Sequence, residues 1–296
     1  MDLNKELISF ELLNKEQEIF FKEQGYVVFD FLDKEQVNVL KNLYKEIQST
    51  LIKEKNKIFT SGEHLTESSA RQIDKAIHEV IFNSLDSHFA NYDSLMAAFI
   101  VKPPKQAKEE YFEWHQDLSF VDEAHYSSAQ LWIPLQDTNS KNGNLQLIPN
   151  THLYSDVIRT SPIYPSFFKA YLNKMKAYAQ NIPLKLGQAV LFNHKLLHAS
   201  TPNSSSQERL AVISTLKPRE AQWLYFNWNE NRKVVNKYEA NLDFYLKVWM
   251  NKMRDESKVV ESFSYEFPEM TALQFSKWKE KQFSNASFIQ KIKSFF

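Results

Sequence analysis

His115 and Asp117, separated by one residue, and the distant His198 are the side chains of this sequence best suited to hold a metal ion. They stand in Trp114-His115-Gln116-Asp117 and in Phe192-Asn193-His194-Lys195-Leu196-Leu197-His198-Ala199-Ser200. Two histidines and one carboxylate are the ligand set of a facial triad, which binds non-haem Fe(II) and leaves positions open for chemistry. In a strand, residues i and i+2 share a face, so His115 and Asp117 can converge on one ion while Gln116 turns away. The same parity puts His198 and Ser200 on one side of their strand. Arg209 follows a turn containing Pro202 and Asn203 and shares parity with Ala211 and Ile213. A guanidinium facing inward is costly to bury alone, and its fork fits a carboxylate through two bonds.

His194 competes for the third position. It has the spacing to His198 of a helical zinc motif, but Lys195 stands where that motif carries its glutamate. The preceding Ala189-Val190-Leu191-Phe192 also reads as strand, so His198 is preferred and His194 is taken as a turn or supporting residue. His64, His78, His88 and His152 fall on helices, loops or turns. His125 follows the His-x-Asp segment closely enough to line a pocket mouth.

Composition narrows the function classes. The chain has no cysteine, which excludes disulfides, thiolate nucleophiles and cysteine-ligated metals. Its four glycines, Gly25, Gly62, Gly143 and Gly187, cannot spell a dinucleotide or P-loop motif. Lys+Arg and Asp+Glu balance at 36 each, so no field for nucleic acid or an anionic membrane is expected. No apolar run approaches the roughly 18 residues of a transmembrane helix, and Met1–Glu6 does not read as a secretory leader. The expectation is a cytoplasmic monomer or homodimer whose partner is a small-molecule substrate, with no nucleic acid and no membrane insertion.

These side chains need a rigid frame. The 296 residues suffice for one domain, and 23 Phe, 13 Tyr and 6 Trp suggest an aromatic, strand-rich core. Residues 1–93 read as mainly helical: a helix from Phe10 to Gln24 ended by Gly25, a strand at Tyr26–Phe29, a helix capped by Asp33 and Gln36, a loop from Ile52 to Ser69, and a helix over Ala70–Leu85. Residues 94–218 carry short strands at Leu95–Val101, His115–Phe120, Ala129–Leu135, Leu145–Ile148, Ala189–Phe192, Leu196–Ser200 and Leu210–Leu216, with a helical insertion over Ser161–Ala179. Residues 219–296 form a helical, aromatic extension suited to a lid or a dimer interface. The fold class is α+β with a mainly β core, a double-stranded β-helix (jelly-roll, cupin-like) barrel flanked by N-terminal and C-terminal helices.

At these motifs the chain resembles the phytanoyl-CoA dioxygenase family of Fe(II)/2-oxoglutarate oxygenases. The blocks are Phe20–Phe29, Lys102-Pro103-Pro104 with Trp114–Asp117, Leu131–Asp137, Asn142–His152, and His198-Ala199-Ser200 with Arg209. The resemblance implies Fe(II), 2-oxoglutarate and O₂ as cofactor and cosubstrates, with His115, Asp117 and His198 as catalytic metal ligands. It implies that Arg209 and Ser200 hold the distal carboxylate of 2-oxoglutarate and that Trp132 lies near it or packs in the core. Gly143 and Asn203 match turn positions, and Lys102 is a candidate pocket residue for which a solvated strand end is the preferred reading. Asn150-Thr151-His152 departs from a common Gly-Ser-His, a change expected to touch only a turn.

The implied reaction is hydroxylation of an unactivated C–H bond in a small or medium organic molecule, with release of succinate and CO₂. Related halogenases lack the carboxylate ligand, so Asp117 points to hydroxylation. The alternative is a non-catalytic or differently reacting metal-binding jelly-roll protein. Specificity is expected in residues 49–69, 118–128 and 155–181 and in the C-terminal region.

Overall fold

The computed structural model describes residues 7–51, 58–105, 112–161, 166–249 and 258–292. The N-terminal layer is fixed by helix caps. After the two-residue β1 (Glu11–Leu12), Asn14 accepts from Glu16 and Gln17 N–H to start α1 (Lys15–Gln24). Gly25 ends the helix at φ 82, where an added Cβ would collide with His152 Nδ1. The chain then enters β2 (Tyr26–Asp30). Asp33 and Gln36 form the expected capping box of α2 (Lys34–Ile47), a device worth about 1 kcal/mol. Residues 52–57 of the expected loop lie outside the described residues, and its remainder holds β3 (Phe59–Thr60) and the short α3 (Ser61–His64). α4 (Glu67–His88) follows.

β4 (Phe89–Ala90) pairs with β1 in a small sheet of its own, and the core strands that follow are β5 (Tyr92–Lys102), β6 (Phe112–His115), β7 (Ala129–Pro134), β8 (Leu145–Leu147), β9 (Gln180–Ile182), β10 (Gln188–Asn193), β11 (His198–Ser200) and β12 (Arg209–Pro218). They build two antiparallel sheets, ordered β2-β10-β7-β12-β5-β3 and β6-β11-β8-β9. The sheets face each other across Trp132, Val190, Phe192 and Ala211 from the larger and Leu145, Leu147 and Ile182 from the smaller. The outer face of the larger sheet packs on α2 and α4. Leu131 and Ile133 join that outer cluster while Trp132 between them points inward, the period-2 alternation of a strand covered on both faces. Helices bury matching stripes, Val37, Leu40 and Tyr44 on α2 and Ile73, Ile77 and Ile81 on α4. The expected jelly-roll core is thus two facing sheets, without a hydrogen-bonded seam that closes them into one barrel among the described residues.

Two expectations change. The insertion over Ser161–Ala179 contains only α5 (Leu172–Met175) and one 3₁₀ turn, and residues 162–165 lie outside the described residues. After Pro218 the chain is not a helical run: β13 (Leu224–Asn229), β14 (Val234–Glu239) and β15 (Val259–Ser264) form an antiparallel meander, with α6 (Leu242–Trp249) inserted and α7 (Ala272–Ile292) after it. Several aromatics of this extension are core packing, neither lid nor exposed interface. Tyr225, Tyr245 and Trp278 are each at most 2% exposed, and Trp278 Nε1 donates to the Pro149 carbonyl at 3.2 Å. No helix among the described residues is long and apolar enough to cross a membrane.

Candidate metal centre and anion site

His115 and His198 are direct cross-strand partners in the β6–β11 ladder, with ring centroids 4.2 Å apart. The strand ends at His115, earlier than expected, so Asp117 lies beyond the ladder. Its N–H donates to the His194 carbonyl at 3.1 Å, which keeps the segment against the sheet. Asp117 Oδ1 stands 3.8 Å from Nε2 of both histidines. Ligand atoms of the three residues all lie within 4.8 Å of one another.

The donor set fits a cation. His115 Nδ1 donates to the Glu113 carbonyl at 2.7 Å and His198 Nδ1 to the Leu196 carbonyl at 2.9 Å. A carbonyl only accepts, so each ring carries its proton on Nδ1 and turns the Nε2 lone pair toward the site. Burial pushes both imidazoles down to about 4; for His115 the neighbouring His198 adds to the effect. Both are therefore neutral donors at neutral pH. Burial raises the Asp117 carboxyl, opposed by His115 and Arg159, and Asp117 Oδ2 is buried without a hydrogen-bond partner. A cation there would remove both penalties.

The second half of the site lies on the larger sheet. Arg209 opens β12 directly opposite Lys102, the last residue of β5. Arg209 is 1% exposed, and its Nε and Nη1 have no hydrogen-bond partner. Its guanidinium carbon lies 5.1 Å from the centre of the Trp132 ring. Lys102 is not the solvated strand end expected from the sequence, because β12 and the turn at Gly143 enclose it completely. Its Nζ donates to Ser200 Oγ at 2.7 Å, to the Ser200 carbonyl at 3.2 Å and to the Thr201 carbonyl. Burial, with the adjacent Arg209 charge, brings Lys102 down to about 6, and burial brings Arg209 to about 9. A buried guanidinium with two unpartnered nitrogens beside a buried amine, with no carboxylate paired to either among the described residues, is a site that an anionic ligand would complete. Gly143 makes this possible: at φ 88, a Cβ there would sit 2.7 Å from Lys102 Cδ.

The other marked residues are supporting. His194 is fully buried, its Nδ1 2.8 Å from Ser128 Oγ and its ring against Phe120. His125 is exposed and paired with Asp122 at 2.8 Å. Asn203 braces the turn, Nδ2 donating to the Gln207 carbonyl at 2.8 Å and the Lys102 carbonyl at 3.2 Å. Asn150 adopts a left-handed φ of 62, and its side chain donates to the Glu23 carbonyl at the end of α1. Sequence reasoning missed Arg159, which contacts the Asp117 main chain; Ile158-Arg159-Thr160 carries no motif. A cavity of about 760 Å³ is lined by Ser119, Glu123, Val157, Lys195, Phe226 and Tyr265, among others, and by none of His115, Asp117 and His198.

Facing antiparallel sheets with two histidines and a carboxylate gathered at one end are the layout of a cupin-like metal protein. The family profile described as phytanoyl-CoA dioxygenase (PhyH) matches residues 21–211, and the chain belongs to that family. A phytanoyl-CoA dioxygenase of Arabidopsis thaliana is 24% identical over 272 residues, which span 75% of this chain and 95% of the relative. Among solved structures, the non-haem alpha-ketoglutarate-dependent epimerase SnoN from nogalamycin biosynthesis aligns with a TM-score of 0.53 and 14% identity, covering 86% of this chain and 94% of its own. SnoN in complex with Fe3+, alpha ketoglutarate and nogalamycin RO aligns with a TM-score of 0.51 and 14% identity, over 71% of this chain and 85% of its own. At such identities the likeness is one of fold.

Proposed function

We propose that the protein is an Fe(II)- and 2-oxoglutarate-dependent dioxygenase that hydroxylates an unactivated C–H bond of a small or medium organic molecule. Family membership supports the oxygenase class. The observation that carries the cosubstrate is Arg209, a buried guanidinium with two unpartnered nitrogens beside the buried amine of Lys102. Such a pair fits a dicarboxylate cosubstrate better than it fits a metal site that uses none.

His115 and His198 would hold iron through Nε2, in the tautomer set by the Glu113 and Leu196 carbonyls. Asp117 supplies the anionic ligand. Arg209 and Lys102 would grip the distal carboxylate of 2-oxoglutarate, with Ser200 fixing the lysine head and Trp132 backing the guanidinium. Iron with 2-oxoglutarate and O₂ supplies the oxidation, in which one oxygen atom enters the substrate and the other the succinate formed with CO₂. The chain's own contribution is orientation and exclusion of water around both charged groups. Asp117 fills the carboxylate position, which favours hydroxylation over halogenation. Three of the four segments expected to set specificity, residues 118–128, 155–181 and the C-terminal region, contribute to the cavity of about 760 Å³.

Purified protein with Fe(II), ascorbate and O₂ should convert 2-oxoglutarate to succinate, faster with a true substrate, and the product should gain one oxygen atom. Succinate formation no greater than that of Asp117→Ala would refute the oxygenase reading. A stimulated reaction whose product has unchanged mass would retain the cosubstrate chemistry and replace hydroxylation by an epimerase-type outcome.

A further inference from the structure

Two of the three proposed ligands are held by a strand ladder and the third is not. His115 and His198 are opposite each other in β6 and β11, whereas Asp117 lies past the end of β6. A ligand outside a ladder keeps its place only if its backbone groups are engaged elsewhere. The Asp117 N–H is taken by the His194 carbonyl at 3.1 Å. Its carbonyl accepts from Arg159 Nε at 2.5 Å.

Arg159 is itself firmly fixed. It is 0% exposed, with Nη1 donating to Glu123 Oε2 at 2.7 Å and to the Val157 carbonyl at 3.0 Å, and Nη2 donating to Glu123 Oε1. This bidentate fork neutralises the buried guanidinium and sets its plane. Backbone bonds complete the brace: Ser119 N–H donates to the Arg159 carbonyl at 3.1 Å, and Arg159 N–H donates to Ser119 Oγ at 3.1 Å. Ser119 Oγ donates in turn to Glu123 Oε2 at 3.0 Å. Behind it, Ile158 N–H donates to the Tyr265 hydroxyl at 2.8 Å, which ties the brace to the segment following β15.

We infer that Arg159, anchored by Glu123, is the positioning residue for the carboxylate ligand: it fixes where Asp117 stands relative to the two imidazoles. The inference rests on His115, Asp117 and His198 being the metal ligands. Asp117 Oδ2 has no hydrogen-bond partner, so the carboxylate is placed by its backbone, and Arg159 holds half of that backbone. Metal affinity depends on such placement as well as on ligand identity.

The test is anaerobic Co(II) titration of the full chain, with no cosubstrate, read by calorimetry and by the cobalt visible spectrum well below the melting temperature of each variant. Arg159→Met should weaken Co(II) binding about 10- to 100-fold, and Arg159→Lys should not restore it, since one ammonium cannot reach both Asp117 and Glu123. Glu123→Gln, which keeps the side-chain volume, should weaken binding several-fold and carries the test if Arg159→Met does not fold. In the Asp117→Ala background, Arg159→Met should cost nothing further, because its effect runs through Asp117. Folded Arg159 and Glu123 variants that bind Co(II) as the native protein does would overturn the inference, as would a loss that persists without Asp117. Equal binding by native protein and Asp117→Ala would instead remove the metal reading beneath it.

Discussion

Arg159 and Arg209 are both buried to within 1% exposure, yet their surroundings are opposite. Arg159 meets a carboxylate with both Nη atoms and a carbonyl with Nε. Arg209 leaves Nε and Nη1 without a partner and lies over Trp132, next to the buried Lys102. A paired buried charge belongs to the frame, because removing one member strands the other. An unpaired one costs free energy in the empty protein and is tolerated where an outside anion supplies the missing half. On the proposed reading, the first arginine serves the metal end of the site and the second the cosubstrate end.

Melting experiments can break this contrast, and here the largest effect is expected. Arg159→Met leaves Glu123 without its counter-charge and should destabilise the protein by about 3 kcal/mol. Arg209→Met should leave the ligand-free protein as stable as native, or more so, while 2-oxoglutarate affinity falls at least tenfold and metal affinity holds. Equal destabilisation by the two substitutions, measured by urea unfolding, would remove the distinction.

A subtler effect concerns Lys102, brought to about 6 by burial first and by Arg209 second. Its folded value lies below the unfolded 10.5, so the unfolded chain takes up its proton first as pH falls. Lys102 should thus make the ligand-free protein lose stability as pH falls from 10.5 toward 6, with no further change below. A bound carboxylate raises the lysine again. Binding of 2-oxoglutarate to the metal-loaded protein at about pH 7.5 should then take up as much as one proton per ligand. Calorimetry in buffers of different ionisation enthalpy reads this directly; zero uptake, or uptake undiminished in Lys102→Met, would count against a role for the lysine.

The metal motif was legible in the sequence because its information is local: His-x-Asp survives as a convergent pair even though the strand stops at His115. Arg209 was legible because strand parity points it inward. The full burial of Lys102 was not, since it depends on pairing with Arg209 across β5 and β12 and on the space left by Gly143. Arg159 was invisible for the same reason, as its partners Asp117 and Glu123 lie far back in the chain. The C-terminal strands were misread because Leu224–Asn229 is rich in aromatics buried on both faces, which hides the alternation of a strand.

The central claim, a metal triad coupled to an anion site that binds 2-oxoglutarate, is tested most directly by one anaerobic optical titration of Fe(II) and 2-oxoglutarate into native protein, Asp117→Ala and Arg209→Ala. A weak visible charge-transfer band should appear in native protein only when both are present. It should vanish in Asp117→Ala and require far more 2-oxoglutarate in Arg209→Ala. No band in the native protein, or an undiminished band in Asp117→Ala, would contradict the claim.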